Sequence, residues 1–131
     1  MQDIVGTWRL VRGTAVDGDG RSLAPPYGGD TAIARLTFGA DGRMACVLYD
    51  ARPTVPDGEE RSYTSYCGAY RFDGRRLVTR VDACSDPARM GTDQIRDVGF
   101  EDGLMYLIPP PKQENGVTIH RKLYWEKLAD V

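Results

Sequence analysis

The stretch Leu36-Thr37-Phe38-Gly39-Ala40-Asp41-Gly42-Arg43-Met44-Ala45-Cys46 decides how this chain folds. Large apolar residues occupy every second position on both sides of Ala40-Asp41-Gly42, with Leu36 and Phe38 before it and Met44 and Cys46 after it. That is the period of a half-buried strand. Asp-Gly accepts the positive φ of a tight turn at low cost, so the stretch predicts two antiparallel strands joined directly. Asp73-Gly74-Arg75 and Glu101-Asp102-Gly103 repeat the same punctuation.

Outward from this hairpin, β-branched and aromatic residues cluster between Gly, Pro, Asn and Asp, predicting eight strands: Ile4 to Val16, Thr31 to Gly39, Arg43 to Asp50, Tyr63 to Phe72, Arg76 to Cys84, Thr92 to Phe100, Leu104 to Ile108, and Val117 to Leu128. No long window carries a helical period, so little helix is expected. The three Asp-Gly turns are the second, fourth and sixth connections. The first (Asp17 to Asp30), third (Ala51 to Ser62), fifth (Ser85 to Gly91) and seventh (Pro109 to Gly116) are long and rich in Pro and Gly. Alternate connections of an up-and-down meander fall at opposite ends, so the tight turns gather at one end and the long loops at the other. The expectation is an all-β, antiparallel barrel of eight strands, up to ten, with a pinched end and an open mouth. Closure removes exposed edges, and eight strands enclose room for one small ligand. A barrel filled by its own side chains and a two-sheet sandwich remain the alternatives.

The chain has 131 residues, 17 basic and 19 acidic side chains, a formal charge of -2 and a pI near 5.4. This size fits one domain, residues 1-131, with a single core. Without concentrated Lys and Arg, neither nucleic acid nor an anionic membrane is expected as partner. No basic start leads into an apolar run and no stretch reaches membrane-span length, so a soluble cytoplasmic protein is expected. Cys46, Cys67 and Cys84 form no C-x-x-C pair and His120 is the single histidine, so reduced thiols and no metal are expected. Oligomeric state is left open, a homodimer included.

Period-2 reading assigns an inner face to each strand. The first strand gives Trp8 and Leu10, continuing toward the mouth as Arg12 and Thr14. The second gives Leu36 and Phe38, the third Met44, Cys46 and Leu48, and the fourth Tyr66, Gly68, Tyr70 and Phe72. The seventh gives Leu104, Tyr106 and Ile108, and the last Val117, Ile119, Leu123 and Trp125, interrupted by Arg121. On the sixth, apolar Val98 and Phe100 give way toward the mouth to Arg96, Gln94 and Thr92. An apolar cavity with a few polar groups near its entrance is the usual make-up of a small-molecule site. The expected ligand contacts are Tyr66, Gln94, Arg96, Met44, Cys46, Tyr70, Tyr106 and Thr14. The bland alternative pairs Arg96 with Asp82 or Asp93 as a wall brace. The fifth strand is ambiguous: hydrophobicity puts Leu77, Thr79, Val81 and Ala83 inside, while the reverse brings Arg80 and Asp82 to the mouth and makes Asp82 and Arg96 a catalytic pair.

Nucleotide-binding, metalloprotease and serine-hydrolase motifs are absent from the sequence. A Cys46–His120 nucleophile would need both on one face, and alternation separates them.

Gly6-Thr7-Trp8-Arg9-Leu10-Val11 resembles the G-x-W opening of the calycins, which include lipocalins and fatty-acid-binding proteins. That resemblance implies Trp8 at the closed end with a final-strand cation across it, from Arg121 or the Trp125 region. The chain is more similar to the bacterial and fungal lipocalin-like domain family. Gly6 to Val11, Leu36 to Met44, Tyr66-Cys67-Gly68-Ala69-Tyr70, Gly91-Thr92-Asp93-Gln94-Ile95-Arg96 and Leu123-Tyr124-Trp125-Glu126 carry the likeness, Gly91 to Gln94 most distinctively. It implies a calycin-type barrel with a cavity and no settled reaction. The helical lid and the Arg-x-Tyr carboxylate site of fatty-acid-binding proteins do not transfer: the first long connection holds Pro25 and Pro26, and Arg121 and Tyr124 lie on opposite faces. A nitrobindin-like haem would need an inward histidine, whereas His120 alternates with the apolar face, so no cofactor is expected.

Three functions follow as expectations. The leading one is binding of a small, largely apolar molecule with a carboxylate, enol or carbonyl head. The second is a cofactor-independent isomerase, cyclase or dehydratase on a polyketide- or terpenoid-like substrate, with Asp82, Asp93 or His120 as base. The third is a protein-interaction module presenting an apolar patch near Tyr124 or Pro109-Pro110-Pro111.

Overall fold

A computed structural model describes residues 3–130, the side chains of Gly28 and Asp30 excepted. Its strands are β1 (Gly6–Val16), β2 (Ile33–Phe38), β3 (Arg43–Tyr49), β4 (Tyr63–Phe72), β5 (Arg76–Cys84), β6 (Asp93–Glu101), β7 (Leu104–Ile108), β8 (Lys112–Glu114) and β9 (Val117–Ala129). Every pairing is antiparallel, in the order β1-β2-β3-β4-β5-β6-β7-β9, and β9 returns to β1 to close the barrel. Short 3₁₀ turns at Pro26–Thr31 and Pro87–Arg89 are the only helical pieces among the described residues.

Eight closed strands match the eight expected. The ninth, β8, lies in the seventh connection, where Asn115 and Gly116 at φ 51 and 78 make a two-residue turn that pairs Glu114 with Val117. Asn-Gly is a strong hairpin signal, but Pro109 to Pro111 just before it masks the short strand as loop.

The Asp-Gly turns close as their chemistry requires. Asp73 accepts from the amides of Arg75 and Arg76, and Asp41 from that of Arg43. Asp102 and Gly103 take φ 53 and 78 in a two-residue turn between Glu101 and Leu104. All three lie at the end where the chain enters at Ile4 and leaves after Ala129, and that end is solid. Trp8, Phe38, Met44 and Met105 are buried there, beneath Ile4, whose carbonyl accepts the Trp8 indole N–H at 2.9 Å.

Most inner faces follow the alternation. Leu77, Thr79 and Val81 are buried, which resolves the fifth strand in favour of its apolar face. Two strand phases differ from expectation. A bulge between Leu10 and Arg12 turns Arg12 and Thr14 outward, with Arg12 over the Tyr124 ring at 4.0 Å and Thr14 exposed. Gly13 and Ala15 face inward instead; a Cβ on Gly13 would lie 2.8 Å from Leu123 and 3.2 Å from Pro26. On β7 the buried residues are Met105 and Leu107, so Tyr106 stands on the outer wall beside Tyr124 and Lys122. Leu104 to Ile108 is apolar throughout and periodicity cannot phase it, but the turn can: residues opposite one another share a face, and Phe100, which packs on the core, pairs with Met105. The cation over Trp8 is Lys127 at 5.2 Å, not Arg121, which lies near the mouth 4.0 Å from Glu114.

Candidate functional site

The mouth is shaped by the long connections. The first crosses it as the 26–31 turn, where the Tyr27 hydroxyl and Thr64 share a hydrogen bond of 3.1 Å. The third is clasped by Asp50, whose buried carboxylate accepts from Arg52 at 2.6 Å while Arg61 donates to the Asp50 and Arg52 carbonyls. The fifth carries Arg89 on the 87–89 turn, with its guanidinium 5.0 Å from the Tyr66 ring centroid.

Beneath these loops lies a cavity of about 340 Å³. Leu48, Leu107, Leu123, Cys46 and Trp125 give it apolar walls, and Tyr66, Arg89 and Arg96 give it polar ones. Above it opens a larger vestibule, about 620 Å³, between Tyr27, Arg52, Glu59, Arg61 and Arg121. The solid half of the barrel and the hollow half meet near the β3–β4 pair Cys46 and Tyr66.

Arg96 is the chemically distinctive wall residue. Its guanidinium donates to the carbonyl of Ile95 at 2.8 Å, and no Asp or Glu lies within ion-pair distance among the described residues. Burial lowers its pKa, partly offset by Tyr66, and the nearby positive charge of Arg89 adds to the lowering. A desolvated cation without a counter-charge is costly unless something else supplies one. Trp125, also in this wall, is 1% exposed, and its indole N–H is buried out of reach of the cavity with no hydrogen-bond partner among the described residues. Buried donors are nearly always satisfied, so this N–H is a local cost of the packing behind the cavity. Burial also pushes the Tyr66 hydroxyl up, with a hydrogen bond from Gln94 acting the other way, and it pushes the Cys46 thiol up to about 12. Both groups are therefore neutral near pH 7, and Cys46 is no nucleophile.

The structure brings Tyr66, Arg96 and Cys46 together as expected and places buried Gln94 behind Tyr66, in the wall of a neighbouring cleft shared with Arg89 and Arg96. Other expected residues lie elsewhere. Met44 and Tyr70 belong to the solid end, where the Tyr70 hydroxyl donates to the Gly39 carbonyl at 2.8 Å and its ring meets Phe38 edge-on at 5.0 Å. Thr14 and Tyr106 face outward, as described above. Asp82 is on the outer wall, held by Arg43 at 2.6 and 2.9 Å, and so forms no pair with Arg96. Alternation from buried Val81 leaves Asp82 outside, and the bulge between Cys67 and Gly68 also turns Ala83, expected inside, out to solvent while Cys84 packs against the core. Asp93 pairs with Arg80 on the same exterior at 2.7 Å, and His120 is exposed. Sequence reasoning missed Arg89, which stands in a loop where alternation says nothing.

Among the described residues no group of three or more His, Cys, Asp or Glu is placed to hold a metal ion, and the three cysteines are free. No helix there is long and apolar enough to cross a membrane. The family model described as lipocalin-like domain matches residues 5–128 of the chain. No curated protein and no solved structure matches it.

Proposed function

The chain belongs to the lipocalin-like domain family, and from that premise we propose that it binds a small, largely apolar molecule in the mouth cavity, with an oxygen-bearing head turned toward Arg96. The observation that carries this reading is the part-buried Arg96 guanidinium in a largely apolar cavity, with no carboxylate at ion-pair distance among the described residues. The body of the ligand lies against Leu48, Leu107 and Leu123, where each buried CH₂ contributes about 0.8 kcal/mol. The head accepts from Arg96 and from the Tyr66 hydroxyl.

Catalysis by the same groups has less support, because each base considered for it is engaged or exposed on the exterior: Asp82 by Arg43, Asp93 by Arg80, and His120 toward solvent. Asp86 does line the cavity, with its carboxylate accepting from the Ala88 amide at 3.1 Å. The outer wall near Tyr124 is covered by Arg12 and Lys122 rather than laid bare as an apolar patch, which disfavours an interaction module there.

The test is a thermal-shift panel of hydrophobic carboxylates, phenols and ketones. Ligand at about a hundred times Kd stabilises the native state by about 2.7 kcal/mol, a rise of several degrees at this chain length. At least one class should raise Tm, and Arg96→Ala should fold yet lose most of that rise. A flat response to every class would overturn the proposal.

A further inference from the structure

Arg89 and Arg96 come from different parts of the fold, one from the 87–89 turn above the mouth and the other from the wall of β6, yet both line the same cavity on either side of Tyr66. Neither has an Asp or Glu at ion-pair distance among the described residues. The remaining cations of the lining, Lys112 and Arg121, lie at the rim and share Glu114 at 3.0 and 4.0 Å. Among the described residues, the inner polar wall thus holds two guanidinium groups and one carboxylate, Asp86, a surplus of one positive charge. Two like charges brought together in a desolvated wall repel unless an anion lies between them.

We infer that Arg89 and Arg96 form a two-cation clamp closing on a single carboxylate, so that the ligand is a small apolar monoacid rather than a neutral ketone or alcohol. A carboxylate suits the donors geometrically. Its two oxygens provide about four acceptor sites, enough for contacts from both guanidinium groups. A neutral carbonyl would leave the surplus charge standing. Arg89 sits on a short turn within a long connection, which places its cation over the Tyr66 ring at the cavity.

This deepens the proposed function and rests on it, and one calorimetric experiment separates the two. Decanoate, decanamide, decanol and decyl phosphate, with naphthoate and naphthamide as a second body, are titrated into the native protein and into Arg89→Gln and Arg96→Gln. Each acid should bind about tenfold or more tightly than its amide, as expected for hydrogen bonds to a charged group. That gap should shrink toward unity in either variant, and Arg89→Gln, altered on a surface turn, keeps the test valid should Arg96→Gln not fold. Acids and amides binding alike would overturn the clamp while leaving the cavity reading intact. A gap unchanged in both variants would place the anion elsewhere, and decyl phosphate binding more tightly than decanoate would overturn the single charge. Failure of every compound to bind would remove the proposed function itself.

Discussion

Arg96 shows how one residue is read twice. Alternation from Val98 and Phe100 places it on the inner face, and the structure puts it there; its partner, however, could not be anticipated, because pairing depends on which loops fold over it. A brace would be matched with Asp82 or Asp93, and both instead bind Arg43 and Arg80 outside the barrel. Removing a part-buried cation that has no carboxylate at ion-pair distance among the described residues should stabilise the empty protein. Arg96→Met is therefore expected to raise the urea midpoint, by about 1–2 kcal/mol in unfolding free energy, while abolishing ligand-induced stabilisation. A lower midpoint would mean that the guanidinium braces the wall after all.

At the scale of elements, the strands and turns were legible because each carries a local signal, Asp-Gly at positive φ or apolar residues two apart. Phase was legible only where polar and apolar residues alternate. It failed on β7, apolar at each position, and on β1, where a bulge with no side-chain signature rotates Arg12 and Thr14 outward. The β4–β5 bulge has a clearer cause: a Cβ on Gly68 would lie 1.9 Å from the Arg80 carbonyl oxygen, so only glycine permits this approach. Gly68→Ala should destabilise by about 1–3 kcal/mol in urea denaturation. Gly18→Ala, where an added Cβ meets nothing within 4 Å, should stay within about 0.5 kcal/mol. The loop clasp has a pH signature. Hydrogen bonds from Arg52 hold the Asp50 carboxyl below its ordinary pKa, so its stabilisation is present above the unfolded carboxylate range and is lost as pH falls through the lowered folded value. The difference in urea midpoint between wild type and Asp50→Asn should narrow as pH falls below the ordinary carboxylate range. A constant difference would show that Asp50 does not act through its charge.

The molecule as a whole divides across its long axis. Tight turns, both described chain ends and the largest side chains fill one end, while long connections leave the other hollow. Turn lengths alone foretold that division, because a meander must send alternate connections to opposite ends. They could not say which loop residues close over the hollow, and so Arg89 and Tyr27 came only with coordinates. The most direct measurement is a crystal structure of the protein with the tightest-binding acid of the panel. It should show the carboxylate within hydrogen-bond distance of the Arg96 and Arg89 guanidinium groups, with the body against Leu48, Leu107 and Leu123. An acid seated outside the barrel, or a mouth filled by the protein's own side chains, would contradict the account.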